Sequence, residues 1–305
     1  MIMSEPLAFT GERFTPECVR EIWYEHMARY AMAAHVCKGA RVLDVACGEG
    51  YGSHLLALVA AEVDGADIDA ESVAHARGRY QRDNLRFHQA DATALPFDDD
   101  GFDVITSFET LEHLEAQQAL LKELHRVLRP GGVLLISSPD KHTYSDLPGF
   151  NNPYHVRELY REEFEDLLSA EFAHHRLYGQ KLAFQSLCWR LDGPVSTVHA
   201  DTAESPSAEK VALSEGLGMA PIYFIAACSD DAQALQRFPA DLCLFADREE
   251  SVYAHYQHEI RHNIMAGGVL QEREQRIAEL EAQLAESQPP QGLWNRLCWL
   301  LGKQR

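Results

Sequence analysis

The chain has 305 residues, 46% hydrophobic and 24% charged, and its 27 Lys and Arg against 47 Asp and Glu give a formal charge of −20. That composition fits a folded protein with one large α/β domain and appendages, and excludes a mostly disordered chain. The acidic balance argues against nucleic acid as substrate, because phosphate contacts supply most of a general nucleic-acid binder's affinity, and no apolar run reaches the roughly 18 residues of a membrane span.

The opening segment MIMSEPLAFTGERF has no basic stretch followed by an apolar run, so nothing suggests secretion. Ile22, His26, Tyr30 and Ala33 recur at helical spacing. Arg41–Ala46 is a short β-branched run ending in glycines, as in a buried parallel strand. A helix is expected over Ser53–Ala60, a second strand over Glu62–Ile68, and a helix through Ala70–Tyr80. Leu85–Gln89 and Gly101–Ser107 read as the third and fourth strands, separated by the loop ALPFDDD. Glu115–Leu128 is helical, with Leu120, Leu121, Leu124 and Leu128 on one face, and Pro130-Gly131-Gly132 stops it before a fifth strand at Val133–Ser137. This alternation predicts a doubly wound, Rossmann-like parallel sheet with ligands at the carboxyl ends of its strands.

Beyond it, a helix is expected over Val156–Leu168, and His174–Phe184 with Pro221–Cys228 reads as an antiparallel pair closing the sheet. The polar stretch at about 192–219 reads as a mobile surface insertion. Residues 232–262 give no clear pattern. Leu270, Ile277 and Leu284 recur seven apart, a short coiled-coil-like segment. The domain reading is therefore a helical lid at 1–40, a catalytic domain at 41–230, a helical extension at 231–287 and an amphipathic tail at 288–305. Seven scattered cysteines without CxxC pairing (Cys18, Cys37, Cys47, Cys188, Cys228, Cys243, Cys298) read as reduced thiols of a cytoplasmic protein.

The strongest signal is Asp44-Val45-Ala46-Cys47-Gly48-Glu49-Gly50-Tyr51-Gly52. A dinucleotide fingerprint would need its third glycine at position 53, which is Ser53. Glu49 within the loop suits a cationic ligand better than a pyrophosphate. Asp67 closes the second strand, where a carboxylate can hold two ribose hydroxyls, and Asp91 with Ala92 follows the third, within reach of an adenine amino group.

These motifs, in register over 41–140, resemble the class I S-adenosylmethionine-dependent methyltransferases. The resemblance implies that Asp44, Gly48, Gly50 and Gly52 line the methionine side of that cofactor. Asp67 would take the ribose, Ile68 would pack on the adenine, and Asp91 beside Ala92 would bind the amino group.

After the fourth strand comes Glu109-Thr110-Leu111-Glu112-His113, and later Asn152-Pro153-Tyr154-His155. Two carboxylates and two imidazoles suit an oxygen-preferring divalent ion with imidazole support, and a helix starting there would place Glu109 and Glu112 on one face. The E-x-x-E-H run is similar to that of metal-dependent O-methyltransferases of ubiquinone biosynthesis and of small-RNA 2′-O-methyltransferases. That similarity implies Mg²⁺ or Mn²⁺ on Glu109, Glu112, His113 and His155, with Glu112, His113 and His155 as the catalytic groups. Two alternatives stay open: His113 or His155 as an unassisted base, and acids that merely favour a helix's first turn.

T-G-E-R-F, A-C-G-E-G-Y-G, S-F-E-T-L-E-H and N-P-Y-H-V-R-E-L-Y, over roughly 9–186, are similar to methyltransferases of bacterial surface-polysaccharide (O-antigen type) clusters. The resemblance implies a sugar hydroxyl of a glycan as acceptor; the kinase domain fused to some such proteins is absent here, which disfavours a phosphate. Thr10–Phe14, Trp23–His26 and Lys141–Tyr144 are further candidates for the acceptor site. Leu293, Leu297, Leu300 and Leu301 form an apolar stripe flanked by Trp294 and Trp299, with Arg296, Lys303 and Arg305 near. It suits peripheral contact with the inner face of a membrane or pairing of two copies. The rival functions are a small-molecule O-methyltransferase using a His base on a phenol or quinone precursor, and a cofactor-binding scaffold without catalysis.

Overall fold

The computed structural model describes residues 21–188, 190–192, 198–207, 210–238, 241–287 and 292–302. The chain divides into Met1–Ala246 and Asp247–Arg305. In the first unit the strands are β1 (Arg41–Val45), β2 (Glu62–Asp67), β3 (Leu85–Gln89), β4 (Phe102–Ser107), β5 (Leu128–Pro139), β6 (His174–Gln180), β7 (Asp201–Ser207), β8 (Lys210–Glu215) and β9 (Tyr223–Ser229). Seven of them form one sheet in the order β3-β2-β1-β4-β5-β9-β6. Neighbours from β3 through β5 pair in parallel, and β9 runs antiparallel between β5 and β6. The expected closing pair of strands is therefore present, and the order reverses between β1 and β4, the place where such sheets open a crevice for ligands.

The central strands are apolar on both sides because helices cover both faces. Val42, Val104, Val133 and Leu135 pack toward α1 (Glu21–Cys37), α2 (Tyr51–Leu56) and α3 (Ala70–Arg79). Their neighbours Leu43, Ile105, Leu134 and Ile136 pack toward α4 (Gln117–Val127) and α5 (Arg161–Ser169). The leucine stripe expected on α4 is there: Leu120, Leu121 and Leu124 are fully buried. On α1, Tyr30 and Ala33 face the core, whereas Ile22 is exposed.

Several boundaries differ from expectation. Helix α2 starts at Tyr51 because Gly50, at φ +92°, turns the chain into it two residues early. Pro130-Gly131-Gly132 lies inside β5 as an irregularity, where pairing jumps from Phe102–Leu128 to Val104–Val133. The helix expected from Val156 begins only at Arg161, because backbone N–H groups of Val156 and Arg157 donate to the carbonyl of Glu112 and hold that stretch as a loop. Within the polar insertion, β7 and β8 pair antiparallel; composition concealed a short hairpin.

In the second unit, α6 runs from Ser251 to Ser287, and α7 covers Leu293–Gly302 with Leu293, Trp294, Leu297, Leu300 and Leu301 all exposed. Arg296's side chain, Lys303 and Arg305 lie outside the described residues, as do Thr10–Phe14. No described helix is long and apolar enough to cross a membrane.

Gly52 opens α2 directly beneath the ring of Tyr30, and a Cβ there would sit 1.9 Å from the ring. Tyr30 cannot step aside: it is 5% exposed, packs edge-on against Tyr51 and Phe108, and is held through its hydroxyl. Gly52→Ala is expected to lower stability by about 3 kcal/mol, the upper end of ordinary overpacking costs. Urea unfolding of the two proteins measures it, and an unchanged midpoint would contradict the packing described.

Candidate functional site

The carboxyl ends of β1, β2 and β3 carry the glycine loop and its acids side by side. Asp44, the fourth residue of β1, has no exposed surface. Its carboxylate accepts from Ser53 Oγ and Thr106 Oγ1, both at 2.7 Å, and from Tyr30 Oη at 3.2 and 3.3 Å. Burial pushes its pKa up to about 6, against the opposing pull of those three hydroxyls. Asp44 thus lies beneath the loop, as its support.

The three glycines have different surroundings. A Cβ on Gly50 would strike Phe87 and Ala76, and one on Gly52 would strike Tyr30, whereas Gly48, at φ +55°, has nothing within 4 Å. Open space above the loop is therefore at Gly48. Its N–H donates to Asp67 Oδ2 at 2.8 Å, and the N–H of Asp69 donates to Oδ1 at 2.9 Å. Ile68 is 67% exposed, an apolar side chain that the fold leaves unused. Asp91 is turned into its own loop, accepting from the N–H and hydroxyl of Thr93, whose hydrogen bonds hold it below the usual carboxylate range. Ala92, half-buried, packs on the α4 side of the sheet.

Glu49 does not face this space. It is fully buried and turned to α3, where Tyr80 Oη donates at 2.8 Å and His75 and Arg79 lie at 3.2 and 3.6 Å. The expectation that its charge favours a cationic ligand is corrected: that charge is met from behind.

Across the switch point, the turn after β4 departs from the expected helix. Glu109 adopts φ +51°, and only Leu111–His113 form a 3₁₀ turn, so Glu109 and Glu112 share no helical face. Ser137 bridges Glu109 in both directions, accepting from its N–H at 2.9 Å and donating to Oε1 at 2.7 Å. Arg29 Nη2 lies 3.4 Å from the same oxygen. Arg29 is 1% exposed, donates from Nε to Gln180 Oε1 at 2.8 Å, and stacks on the ring of Tyr223 at 4.6 Å. Burial works against its charge, but Glu109, Tyr223 and Glu25 more than offset that and raise its pKa.

Glu112 points elsewhere. Its carboxylate is 1% exposed and neither oxygen has a hydrogen-bond partner. Burial first, and the charge of Glu109 second, push it well above the usual carboxylate range. His113 and His155 complete a set whose ligand atoms all lie within 4.8 Å of one another, the one such group among the described residues. Glu109 is not in it. Each imidazole has its Nδ1 engaged by a group that can only accept, so each carries its proton there. For His113 the acceptor is the carbonyl of Tyr154 at 3.0 Å, and for His155 it is Glu158 Oε1 at 2.5 Å. Asn152 Nδ2 lies 2.9 Å from Nε2 of His155, and Tyr144 stacks on that ring at 5.3 Å. The loop bonds to the Glu112 carbonyl bring the two histidines together.

Sequence reasoning missed Arg29, Ser137, Asn152 and Glu158. Asn152 and Glu158 had a visible signal, each standing three residues from His155.

A strand order reversing at β1/β4, a glycine loop and a row of acids define a Rossmann-like cofactor domain. Residues 43–136 match the family model described as a methyltransferase domain. Over 167 residues, 53% of its length, the chain is 44% identical to a Mycolicibacterium smegmatis protein named a probable S-adenosylmethionine-dependent methyltransferase. It is 40% identical over 167 residues to one of the same description from Mycobacterium tuberculosis. It spans 63% and 60% of those relatives' lengths. An S-adenosylmethionine-dependent methyltransferase structure from Thermotoga maritima overlays with a TM-score of 0.47 at 17% identity, covering 68% of this chain and 90% of that one.

Asp44 yields a test of the buried network. Its pKa rises from 3.8 in a free chain to about 6 in the fold. Between those values the folded state binds more protons than the unfolded, so stability falls as pH rises through the window, by about 3 kcal/mol in total. Asp44→Asn has no such ionisation. The stability difference between wild type and variant is expected to shift by that amount between pH 4 and 7, read from urea unfolding; a constant difference would refute it.

Proposed function

We propose that the chain transfers a methyl group from S-adenosylmethionine to a hydroxyl oxygen, with a divalent cation, Mg²⁺ or Mn²⁺, held by Glu112, His113 and His155. The acceptor proposed is a sugar hydroxyl of a surface-polysaccharide intermediate. One observation carries the reading: a buried carboxylate without a hydrogen-bond partner beside two imidazoles whose Nδ1 protons are already committed. A buried charge needs a partner. Nδ1–H groups held by a carbonyl and a carboxylate orient both rings so that Nε2 would be the ligand, an ion displacing the Asn152 contact from His155. This is the usual outer-shell arrangement of metal-binding histidines.

On the cofactor side, the open space at Gly48 suits the methionine portion, Asp67 the ribose and exposed Ile68 the adenine. When bound, S-adenosylmethionine would supply an activated methyl group whose carbon–sulfur bond breaks as the acceptor oxygen attacks in line, with S-adenosylhomocysteine as the leaving group. The chain's part is to align that oxygen and make it nucleophilic. A cation at this set would lower the hydroxyl's pKa. Glu158 would orient His155 as a ligand of that cation, with the proton released passing to water, while Arg29 and Ser137 hold Glu109 clear of Glu112. The loop carrying His155 exposes Phe150, Tyr154 and Tyr160, rings suited to the apolar face of a sugar.

A second reading uses the same His155–Glu158 pair as a base without a cation, for a more acidic phenol acceptor. Its support is the 2.5 Å contact, which orients the imidazole as a carboxylate does in hydrolase triads.

Two measurements test these proposals. Asp67→Asn keeps an oxygen for the Gly48 N–H but loses the charge; its affinity for S-adenosylhomocysteine is expected to fall about 10- to 100-fold, and unchanged affinity would remove Asp67 from the cofactor site. Mg²⁺ or Mn²⁺ titrated calorimetrically into the S-adenosylhomocysteine-loaded chain is expected to show one site, lost in Glu112→Ala. Heat absent from both proteins would overturn the cation and leave the His155 base.

A further inference from the structure

We propose a second divalent-cation site on α6, formed by His258 and His262 and selecting an imidazole-preferring ion such as Zn²⁺. Residues 258–262 read His-Glu-Ile-Arg-His, and they lie within one uninterrupted helix. On a helix, positions four apart stand on one face a single turn away from each other. The two rings do so here, their centroids 6.4 Å apart and their planes within 21°. Parallel rings one turn apart can direct one nitrogen each at a shared ion, as the two histidines of any helical H-E-x-x-H do.

Two further observations support a site rather than a chance spacing of polar residues. Both rings are exposed, so binding an ion requires no burial or opening of the fold. His255 and Glu259 fall in the same sector, about 100° wide at 3.6 residues per turn, and add an imidazole and a negative charge beside the pair. The apolar residues nearest the pair, Tyr253, Tyr256, Ile260 and Ile264, lie on another side of the helix, whereas Met265 and Val269 follow on the histidine side.

The donor set defines the ligand. Imidazole nitrogens favour Zn²⁺, Ni²⁺ or Cu²⁺ over Mg²⁺, unlike the carboxylate-containing set at Glu112. Two protein ligands leave the remaining positions to water. H-E-x-x-H peptidases add a third protein ligand and a substrate cleft, whereas residues 258–270 are exposed along the whole stretch. Cation binding, and no hydrolysis, is what this helix supports.

The test is equilibrium dialysis of Zn²⁺ against the full-length chain, comparing wild type with His258→Gln, His262→Gln and Glu112→Ala. Each histidine variant is expected to lose one Zn²⁺ equivalent that Glu112→Ala retains. Zn²⁺ should also raise the helical signal remaining at high temperature in wild type but not in His262→Gln, since an ion that binds only the helical form stabilises it. Equal Zn²⁺ binding by wild type and the His258→Gln, His262→Gln double variant would overturn the proposal. The variants lie on an exposed helix face, so their folding is not at issue.

Discussion

A carboxylate without exposed surface, Asp44, accepts hydroxyl hydrogens from Ser53, Thr106 and Tyr30, which belong to α2, β4 and α1. An acid so deep in the sheet is tolerated only while these donors are in place, so their positions are fixed together. Tyr30 must cross the first turn of α2 to reach Asp44, and it can because residue 52 has no side chain. Once Tyr30 is seated, its neighbour Arg29 is carried over β4 toward Glu109. The glycine loop, the N-terminal helix and the acceptor side thus share one anchor.

Charge arithmetic then governs the acceptor side. Arg29 is the buried cation there, and it faces Glu109 and Glu25. Glu25, raised by its own burial, receives the hydroxyl of Tyr223, and Glu158 is taken by His155. The carboxylate oxygens of Glu112 have no hydrogen-bond partner, and the pull of Arg29 does not offset their burial. In a medium of low polarisability such a group takes up a proton, or a cation where one can reach it. The strained backbone of Glu109 belongs to the same arrangement: it turns one acid toward Arg29 and leaves the other to the histidines.

The sheet was legible because its central strands are buried on both faces, so Val42, Leu43 and Val45 around Asp44, and the continuous run Val133 to Ile136, stand out as apolar. The candidate residues were legible where chemistry and proximity in the chain coincide, as in Glu112-His113. Orientation was not legible. Glu49 and Glu109 sit in the expected loops yet point away from their expected partners, because those directions depend on Arg79 and Arg29, thirty and eighty residues distant. The β7–β8 hairpin was hidden by polar composition, since both its strands lie outside the core whose apolar runs mark the others. The spacing on α6 was readable as a pair only once an uninterrupted helix put positions 258 and 262 on one face.

Burial, reinforced by Asp44 and Asp67, also sets the reactivity of the sulfur that lies between those two acids. Cys47 is 2% exposed, and burial, then Asp44 and Asp67, hold its thiol well above the ordinary range. A thiol that resists ionisation is a poor nucleophile toward peroxide, disulfides or alkylating agents. The domain therefore carries in its glycine loop a cysteine that stays a weak nucleophile while the loop is closed, and thiol reagents reach Cys47 only when the loop itself has opened.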